Sequence, residues 1–192
     1  MVNLSDADLK RIVDEVVSSL MGKMPSQGQQ LLPDTPPHSA QAASTEEKTV
    51  AIGADHGGFP LKETLKAFLS EGGYQVIDCG TGSTESVDYP DFALAVAQQV
   101  ASGKAWRGIM IDGAGIGSCM AANKVKGVRA AMCYDHATAF NSREHNNANL
   151  LTLGAGLIGP SLAKQITTTF LETEFGGGRH ARRVDKIMAI ES

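Results

Sequence analysis

The sequence predicts an α/β domain built on a five-stranded parallel sheet. Five short apolar segments, typical of buried strands, follow residue 48: TVAIGAD, YQVIDCG, RGIMIDG, VRAAMCYD and LLTLGAG. Stretches with helical periodicity separate or follow them, near residues 60–71, 91–102, 117–124, 136–146 and 160–174. Strands that alternate with helices form a parallel sheet with helices on both faces.

The chain before residue 48 differs from this pattern. Residues 4–20, LSDADLKRIVDEVVSSL, place apolar side chains at helical spacing with charged residues between them. This pattern predicts an amphipathic helix within residues 1–21, with Ser5 as its N-cap. Residues 22–47 are rich in Pro, Gln, Ser and Ala, which is typical of a flexible linker. The predicted globular domain therefore covers residues 48–192.

Composition narrows the classes of function. A chain of 192 residues with 42% hydrophobic residues fits one globular domain, and the net charge of −4 provides no broad positive field. We therefore expect no nucleic-acid and no membrane partner. The three cysteines lack C-x-x-C spacing, which favours neither a disulfide framework nor a zinc site. A cytoplasmic protein with no metal is the expectation.

The first predicted strand ends in a candidate functional pair, Asp55 and His56. Ligands of parallel sheets bind beyond the carboxyl ends of the strands, so this pair lies where acid-base chemistry is expected. A capping Asp beside a surface His is the alternative interpretation.

The third predicted strand ends in Asp112 and continues into a glycine-rich turn before a helix. Such a turn lets backbone N–H groups converge on an anion, either a phosphate or a developing enediolate oxygen. A tight strand-to-helix turn without a ligand explains the same glycines. The turn consists of Gly113, Ala114, Gly115, Ile116, Gly117 and Ser118.

A dinucleotide site is a further alternative. Gly113 and Gly115 match the first two positions of G-x-G-x-x-G, and Asp135 lies where a ribose-binding acid is expected. Ser118 occupies the third glycine position, however, and the turn follows the third strand instead of the first. The sequence therefore disfavours a nucleotide-binding oxidoreductase.

Two polar segments complete the candidate site. The segment SREHNN at residues 142–147 closes the fourth predicted helix, and by itself it is typical of a solvated helix end. Residues 176–183, GGGRHARR, are interpreted as a mobile glycine hinge with three arginines and a histidine. Arginine binds phosphate in bidentate geometry, so this segment is either a phosphate clamp or a basic tail.

Five ordered motifs together resemble the ribose-5-phosphate isomerase B family, which includes the galactose-6-phosphate isomerase subunits. They are ADHGG at 54–58, DYPDFA at 88–93, DGAGIGSCMAANK at 112–124, SREHNNAN at 142–149 and GGRHARRV at 177–184. The resemblance implies a Rossmann-like three-layer αβα fold. It also implies cofactor-free and metal-free aldose-ketose isomerisation of a small phosphorylated sugar through a cis-enediol. A homodimer or homotetramer with active sites shared between subunits is implied as well.

The resemblance also assigns roles by position. Asp55, His56 and Tyr89 would bind the sugar, and His145 would assist ring opening. Asn146 and the backbone of residues 113–117 would stabilise the enediolate. Arg179 and Arg183 would hold the phosphate from the neighbouring subunit, and Ser118 and His180 complete the predicted substrate-binding set.

Three positions depart from the family pattern. Asp112 stands where many members have a catalytic cysteine, and Ser118 stands where another branch has a glutamate base. A carboxylate can move a proton between adjacent carbons, so Asp112 is the predicted base, with Cys119 as a second choice. Gly156 replaces an arginine that commonly binds phosphate. The expected substrate is therefore ribose 5-phosphate or a shorter or differently phosphorylated sugar.

The N-terminal segment resembles the encapsulation peptides that direct enzymes into bacterial microcompartments. This resemblance implies that residues 4–20 bind a shell protein and that the protein lies inside a microcompartment. The apolar stripe would otherwise be buried by its own domain or by a partner subunit. A non-catalytic sugar-phosphate-binding or microcompartment-associated protein is the alternative to an isomerase.

Overall fold

The structure is a computed structural model that describes residues 48–191 and, nearer the N-terminus, Ala7, Lys10, Arg11, Asp14 and Glu15. These five residues have helical conformation and exposed side chains. The apolar stripe predicted within residues 4–20 and the predicted linker lie outside the described residues. Contacts divide the chain into two units, residues 1–43 and residues 44–192.

The sheet has five parallel strands, as predicted. They are β1 (Thr49–Ala54), β2 (Gln75–Asp78), β3 (Arg107–Asp112), β4 (Ala130–Met132) and β5 (Leu150–Gly154), in the order β2-β1-β3-β5-β4. The three central strands are almost entirely buried because helices cover both faces of the sheet. This burial explains why their sequences are nearly continuous apolar runs.

Six helices accompany the strands within residues 48–191. They are α1 (Phe59–Glu71), α2 (Tyr89–Ala101), α3 (Ile116–Ala122), α4 (His136–Glu144), α5 (Pro160–Glu172) and α6 (Ala181–Met188), with short 3-10 turns at Gly178–His180 and Ala189–Glu191. A proline in the first turn begins α1, α2 and α5, because its missing N–H would have no helical partner there. The interpretation of residues 176–183 as a mobile hinge is incomplete, because α6 begins at residue 181. Two glycines with positive φ precede it. No helix in the described part of the chain is long and apolar enough to cross a membrane.

Two apolar clusters lie on opposite faces of the sheet and confirm the three-layer αβα architecture. One packs α1, α4 and α5 against the sheet, with Leu65 and Phe170 among its fully buried side chains. The other packs α2 and α3, with Val96 as a fully buried member. Each fully buried side chain of this size contributes about 1.5–3 kcal/mol relative to exposure.

The connections between strands place a crevice at the carboxyl ends of β1 and β3. The chain leaves β1 toward β2 on one side, and it later crosses to β3 on the other side. Ligands of such sheets bind where the order reverses in this way. Asp55 follows β1 and Asp112 ends β3, and the Asp55 N–H donates to Ile111 O at 3.2 Å.

Candidate active site

The turn after β1 is fixed by the buried carboxylate of Asp55. Its Oδ1 accepts a hydrogen bond from Gly58 N at 2.9 Å. Residue 58 has to be glycine, because a Cβ there would lie 2.4 Å from Ile111 O. The ADHGG motif is therefore packed directly against β3.

His56 connects this turn to the loop that precedes α2. Its Nδ1 lies 3.2 Å from both the backbone N and the backbone O of Val87. Whichever tautomer is present, Nδ1 is engaged, so Nε2 is the ring nitrogen available to a ligand. Tyr89 follows two residues later, and its ring packs on Gly117, where a Cβ would lie 2.5 Å from the tyrosine Cζ. The structure thus brings the sugar-binding candidates together beside the glycine-rich turn.

Asp112 is the centre of that turn. Its Oδ1 accepts from Ala114 N at 2.8 Å and from Gly115 N, and its Oδ2 accepts from Ser118 N at 3.0 Å and Ser118 Oγ at 2.5 Å. The carboxylate is 4% exposed, and four donors match its four lone-pair positions. Three of the amides predicted to bind an external anion therefore bind Asp112 itself. The first-turn amides of Ile116 and Gly117 have no acceptor among the described residues.

Strand β5 and the loop that follows it support the glycine-rich turn from the other side. Gly156 N donates to Gly113 O at 3.0 Å, and Thr152 Oγ1 donates to Gly115 O at 2.8 Å. Gly115 has a φ of 78°, a left-handed conformation that favours glycine. Gly156 is exposed, and a Cβ there would lie 3.0 Å from Gly113 O, so a side chain at this position would require a small shift of the turn.

The remaining predicted site residues form a second group around the end of α4. The His145 ring stacks on the His180 ring, with centroids 4.2 Å apart and an interplanar angle of 5°. His145 Nε2 lies 3.1 Å from Glu144 Oε2, and its Nδ1 lies 2.8 Å from Asn141 Nδ2. Asn146 Nδ2 donates to Asn141 O at 3.3 Å.

The charge state of His180 follows from its surroundings. Desolvation, the adjacent His145 and the cations of Arg179 and Arg183 all lower the pKa of His180 below its usual 6.5. The imidazole is therefore neutral at pH 7, and the stack joins rings that do not repel each other.

A single chain does not bring the two groups together. Helix α4 starts at the carboxyl edge of the sheet and returns to the amino edge, where His145 precedes β5. Asp112 instead pairs with Gly154 at the far end of β5. The four residue steps of β5 from Leu150 to Gly154 alone span about 13 Å. His145, Asn146, Arg179, His180 and Arg183 thus form an amino-edge group, separate from the carboxyl-edge group around Asp112.

One residue near the site was not predicted. Lys62 is 1% exposed, and its Nζ donates to both oxygens of Asp78 at 2.8 and 2.9 Å and to Thr81 O at 2.8 Å. Burial raises the pKa of Asp78, but hydrogen bonds from Lys62 and Lys66 outweigh that effect and hold it below its usual value. Lys62 thereby anchors the start of the loop that carries Val87 and leads to Tyr89. The only sequence signal is a lysine next to Leu61 on an apolar helical face.

The alternative site residues have structural partners. Asp135 caps α4 by accepting from Thr138 N at 2.7 Å, so its carboxylate is engaged within the helix end. Burial raises the pKa of the Cys119 thiol, whose Sγ lies 3.5 Å from Ala130 O. This thiol is therefore protonated at pH 7. Residues 48–191 contain no group of three acidic, histidine or cysteine side chains arranged to hold a metal ion.

Comparisons with known proteins match the whole described domain. A family model described as Ribose/Galactose Isomerase covers residues 50–187. Ribose-5-phosphate isomerase B of Escherichia coli is 46% identical over 144 residues, which are 75% of this chain and 97% of that protein. The D-erythrulose-4-phosphate isomerase of Pectobacterium atrosepticum is 45% identical over 140 residues, 72% of this chain and 92% of that protein. The solved structure of Clostridium thermocellum ribose-5-phosphate isomerase B has a TM-score of 0.74 and 55% identity, covering 74% of this chain and 97% of that one.

Proposed function

The chain belongs to the ribose/galactose isomerase family and is a sugar-phosphate isomerase, and we propose that it moves a proton between C1 and C2 of an open-chain tetrose or pentose phosphate. The observation that supports this reaction is the carboxyl-edge group, in which a buried carboxylate, a histidine and a glycine-rich turn meet at the β1/β3 crevice. An acid-base group and free amides at one edge suit enediolate chemistry.

The proposed reaction needs one base and one oxyanion site. A base takes the C2 proton of the aldose, the C–H electron pair forms the C1=C2 double bond, and the carbonyl pair moves to O1 as the oxyanion. The O2 hydroxyl proton then passes to O1, and the base, whose proton exchanges with solvent, delivers a proton to C1 to give the ketose. The Ile116 and Gly117 amides point their dipoles at the developing oxyanion, while Asp55 and His56 Nε2 hold sugar hydroxyls. This arrangement requires no metal or organic cofactor for proton transfer.

We keep Asp112 as the proposed base, with one condition from the geometry. All four lone-pair positions of its carboxylate are occupied, so it can accept a substrate proton only after one donor leaves. The Ser118 hydroxyl is the donor that can rotate away without moving the backbone. Asp112 and Ser118 would therefore act as one unit.

The amino-edge group is proposed to complete the active site of a neighbouring subunit in a homodimer or homotetramer. In that arrangement His145 assists ring opening, Asn146 stabilises the enediolate, and Arg179, His180 and Arg183 bind the phosphate. Exposed apolar side chains beside the carboxyl-edge group support self-association there. Ile116 and Met120 of α3 are 46% and 64% exposed, one helical turn apart.

The substrate is proposed to be ribose 5-phosphate or a shorter or differently phosphorylated sugar. Gly156 supplies no cation, so phosphate binding depends on the amino-edge arginines. Relatives named for a pentose and for a tetrose phosphate are nearly equally similar to this chain, at 46% and 45% identity. We therefore expect erythrose or erythrulose 4-phosphate and ribose or ribulose 5-phosphate as the two leading substrates.

The test is a panel of four-, five- and six-carbon aldose and ketose phosphates, assayed in both directions in deuterated water. Deuterium from solvent at C1 or C2 of the product, with turnover of at least one pair, supports the proposal. The alternative is a non-catalytic sugar-phosphate-binding protein, which the full occupation of Asp112 and the loss of both usual bases favour. Binding of the same sugars without turnover or exchange would establish that alternative.

Residues 4–20 are proposed to bind a microcompartment shell protein and thereby place the enzyme inside a microcompartment within the cytoplasm. The charged pattern of the segment supports an interfacial helix: Lys10, Arg11, Asp14 and Glu15 are helical and exposed. A fluorescent reporter fused to residues 1–20 should co-purify with shells, and residues 48–192 alone should keep full activity. A reporter that remains diffuse in shell-forming cells contradicts this targeting.

A further inference from the structure

A cavity of about 620 Å³ lies at the amino edge of the sheet. It opens between the starts of β1 and β3 and the segments that precede β4 and β5. Its lining includes the four cations Lys48, Lys104, Arg107 and Arg129 together with Trp106, and it contains no carboxylate.

The positive charge in this cavity is only partly offset by the described residues, through Glu174 near Arg107 and Glu191 near Arg129. Arg107 is half-buried, its Nη1 donates to Trp106 O at 3.1 Å, and its Nε is buried without a hydrogen-bond partner among residues 48–191. The Arg129 guanidinium contacts only neutral groups, Asn147 O at 2.9 Å and Met188 Sδ at 3.1 Å. No described carboxylate forms a salt bridge with either arginine.

Burying a cation in this way is costly, because water is removed and the nearby carboxylates of Glu174 and Glu191 form no salt bridge with it. Burial lowers the pKa of Arg107 to about 10, and the nearby Arg143 cation adds to the effect. Burial also lowers the pKa of Arg129. An anion seated between these side chains would offset the repulsion between the cations.

We propose that this cavity binds a small molecule carrying a pyrophosphate or polyphosphate group. Four cations from three separate segments surround one space, which suits an anion with more than one phosphoryl group better than a single carboxylate. Guanidinium groups bind phosphate oxygens in bidentate geometry, and lysines add charge without strict geometry. The volume lies within the range of cavities that bind small-molecule ligands, about 300–1,000 Å³.

The site is distinct from the proposed isomerase site. Arg107 begins β3 and Asp112 ends it, so about 16 Å of strand separates the cavity from the carboxyl-edge group. The lining also contains none of the amino-edge group, His145, Asn146, Arg179, His180 and Arg183. Binding here therefore does not depend on which sugar phosphate the enzyme isomerises.

The experiment is calorimetric titration of the full chain with inorganic pyrophosphate at constant ionic strength. Lys104→Gln and Arg107→Gln should each weaken pyrophosphate binding about tenfold, the effect of losing one charged contact. Lys126→Gln is the matched control, since it removes an exposed lysine outside the cavity and should bind as the unaltered chain does. The KM for the sugar phosphate should be the same in Lys104→Gln and Lys126→Gln.

Three results would overturn the proposal. One is pyrophosphate binding that is unchanged in both Lys104→Gln and Arg107→Gln. Lys104 is exposed, so Lys104→Gln should fold and remains informative even if Arg107→Gln folds poorly. Another is binding that disappears in Arg183→Gln and not in Lys104→Gln, which would locate the anion at the isomerase site. The third is complete competition by chloride at the same ionic strength, which would show general charge screening.

Discussion

At the scale of single residues, the Asp112 carboxylate has a structural role and a proposed catalytic role that conflict. It holds the glycine-rich turn through four hydrogen bonds, and it is the proposed base. A group that already accepts four hydrogen bonds has no lone pair for a substrate proton until one of them breaks. The Ser118 hydroxyl controls whether Asp112 can act as a base. It is the side-chain donor on this carboxylate, and its rotation would free one lone pair.

Substitutions of Asp112 and Ser118 separate the structural role from the catalytic role. Asp112→Asn should reduce kcat by about 10²–10⁴-fold, the range for loss of a general base. It should also lower the free energy of unfolding, because the new amide nitrogen cannot accept hydrogen bonds from the turn. Ser118→Ala should keep the fold and retain or increase solvent deuterium exchange at C2, since it frees one lone pair of Oδ2. Activity lost equally in both variants, with substrate binding intact, would instead make the Asp112–Ser118 contact itself essential.

Gly58 provides a residue-scale test of the packing between the β1 turn and β3. Gly58→Ala should destabilise the domain by about 1–3 kcal/mol or more, because the new Cβ would meet the backbone oxygen of Ile111 at 2.4 Å. Gly82→Ala is the control, since no atom lies within 4 Å of its added Cβ. Urea unfolding of both variants measures the difference, and equal midpoints would show that the turn can move away from β3.

At the scale of elements, α1 controls the loop before α2 through Lys62. Lys62→Met keeps most of the side-chain volume but removes the bonds to Asp78 and Thr81 O. We expect a higher KM with a smaller change in kcat, because Tyr89 and Val87 lose their fixed position while the Asp112 turn stays intact.

Lys66→Met is the matched control for that element. Lys66 also contacts Asp78, at 2.6 Å, but its side chain is 31% exposed and it does not reach the loop backbone at Thr81. Its substitution should leave KM nearly unchanged. A KM that rises equally in both variants would assign the effect to the charge of Asp78 and not to the anchored loop.

Element α6 is coupled to pH through His180. The pKa of His180 is lowered in the folded chain, so the unfolded chain takes up the proton more readily. Stability contributed by this segment is therefore fully present above pH 6.5 and decreases as the pH falls from 6.5 through the lower folded pKa. Urea unfolding at pH 7.5 and 5.5 should show a smaller acid loss for His180→Gln than for the unaltered chain. An identical loss in both would exclude His180 as the source.

The elements also show how much of this molecule its sequence can predict. Periodicity located five strands and five helices because the sheet is buried on both faces, and each element had to carry an apolar pattern to fill the core. Helix α6 carries one buried apolar residue, Val184, among charged neighbours, so composition indicated a phosphate clamp or a basic tail and no helix. Lys62 was missed because a buried lysine depends on where Asp78 lies in three dimensions. The filled turn was missed because sequence does not show that the amides bind Asp112.

At the scale of the whole molecule, the two separated groups determine what kind of assembly can be active. The carboxyl-edge group and the amino-edge group lie at opposite edges of one sheet, so neither edge alone holds all the predicted site residues. A symmetric pair of chains that faces these edges toward each other would form two complete sites. Each site would then depend on both subunits.

This arrangement predicts complementation between inactive chains. Asp112→Asn damages the carboxyl-edge group and His145→Asn damages the amino-edge group, so each variant alone should be nearly inactive. A mixed dimer has one site with both defects and one site with none. After subunit exchange at equal concentrations, half of the dimers are mixed, and total activity should recover to about a quarter of the unaltered value.

Native mass spectrometry of the mixture is the control, because it shows directly whether mixed dimers have formed. If mixed dimers are present and activity stays at the level of the parent variants, each site belongs to one chain, and the amino-edge group has no catalytic part in its neighbour.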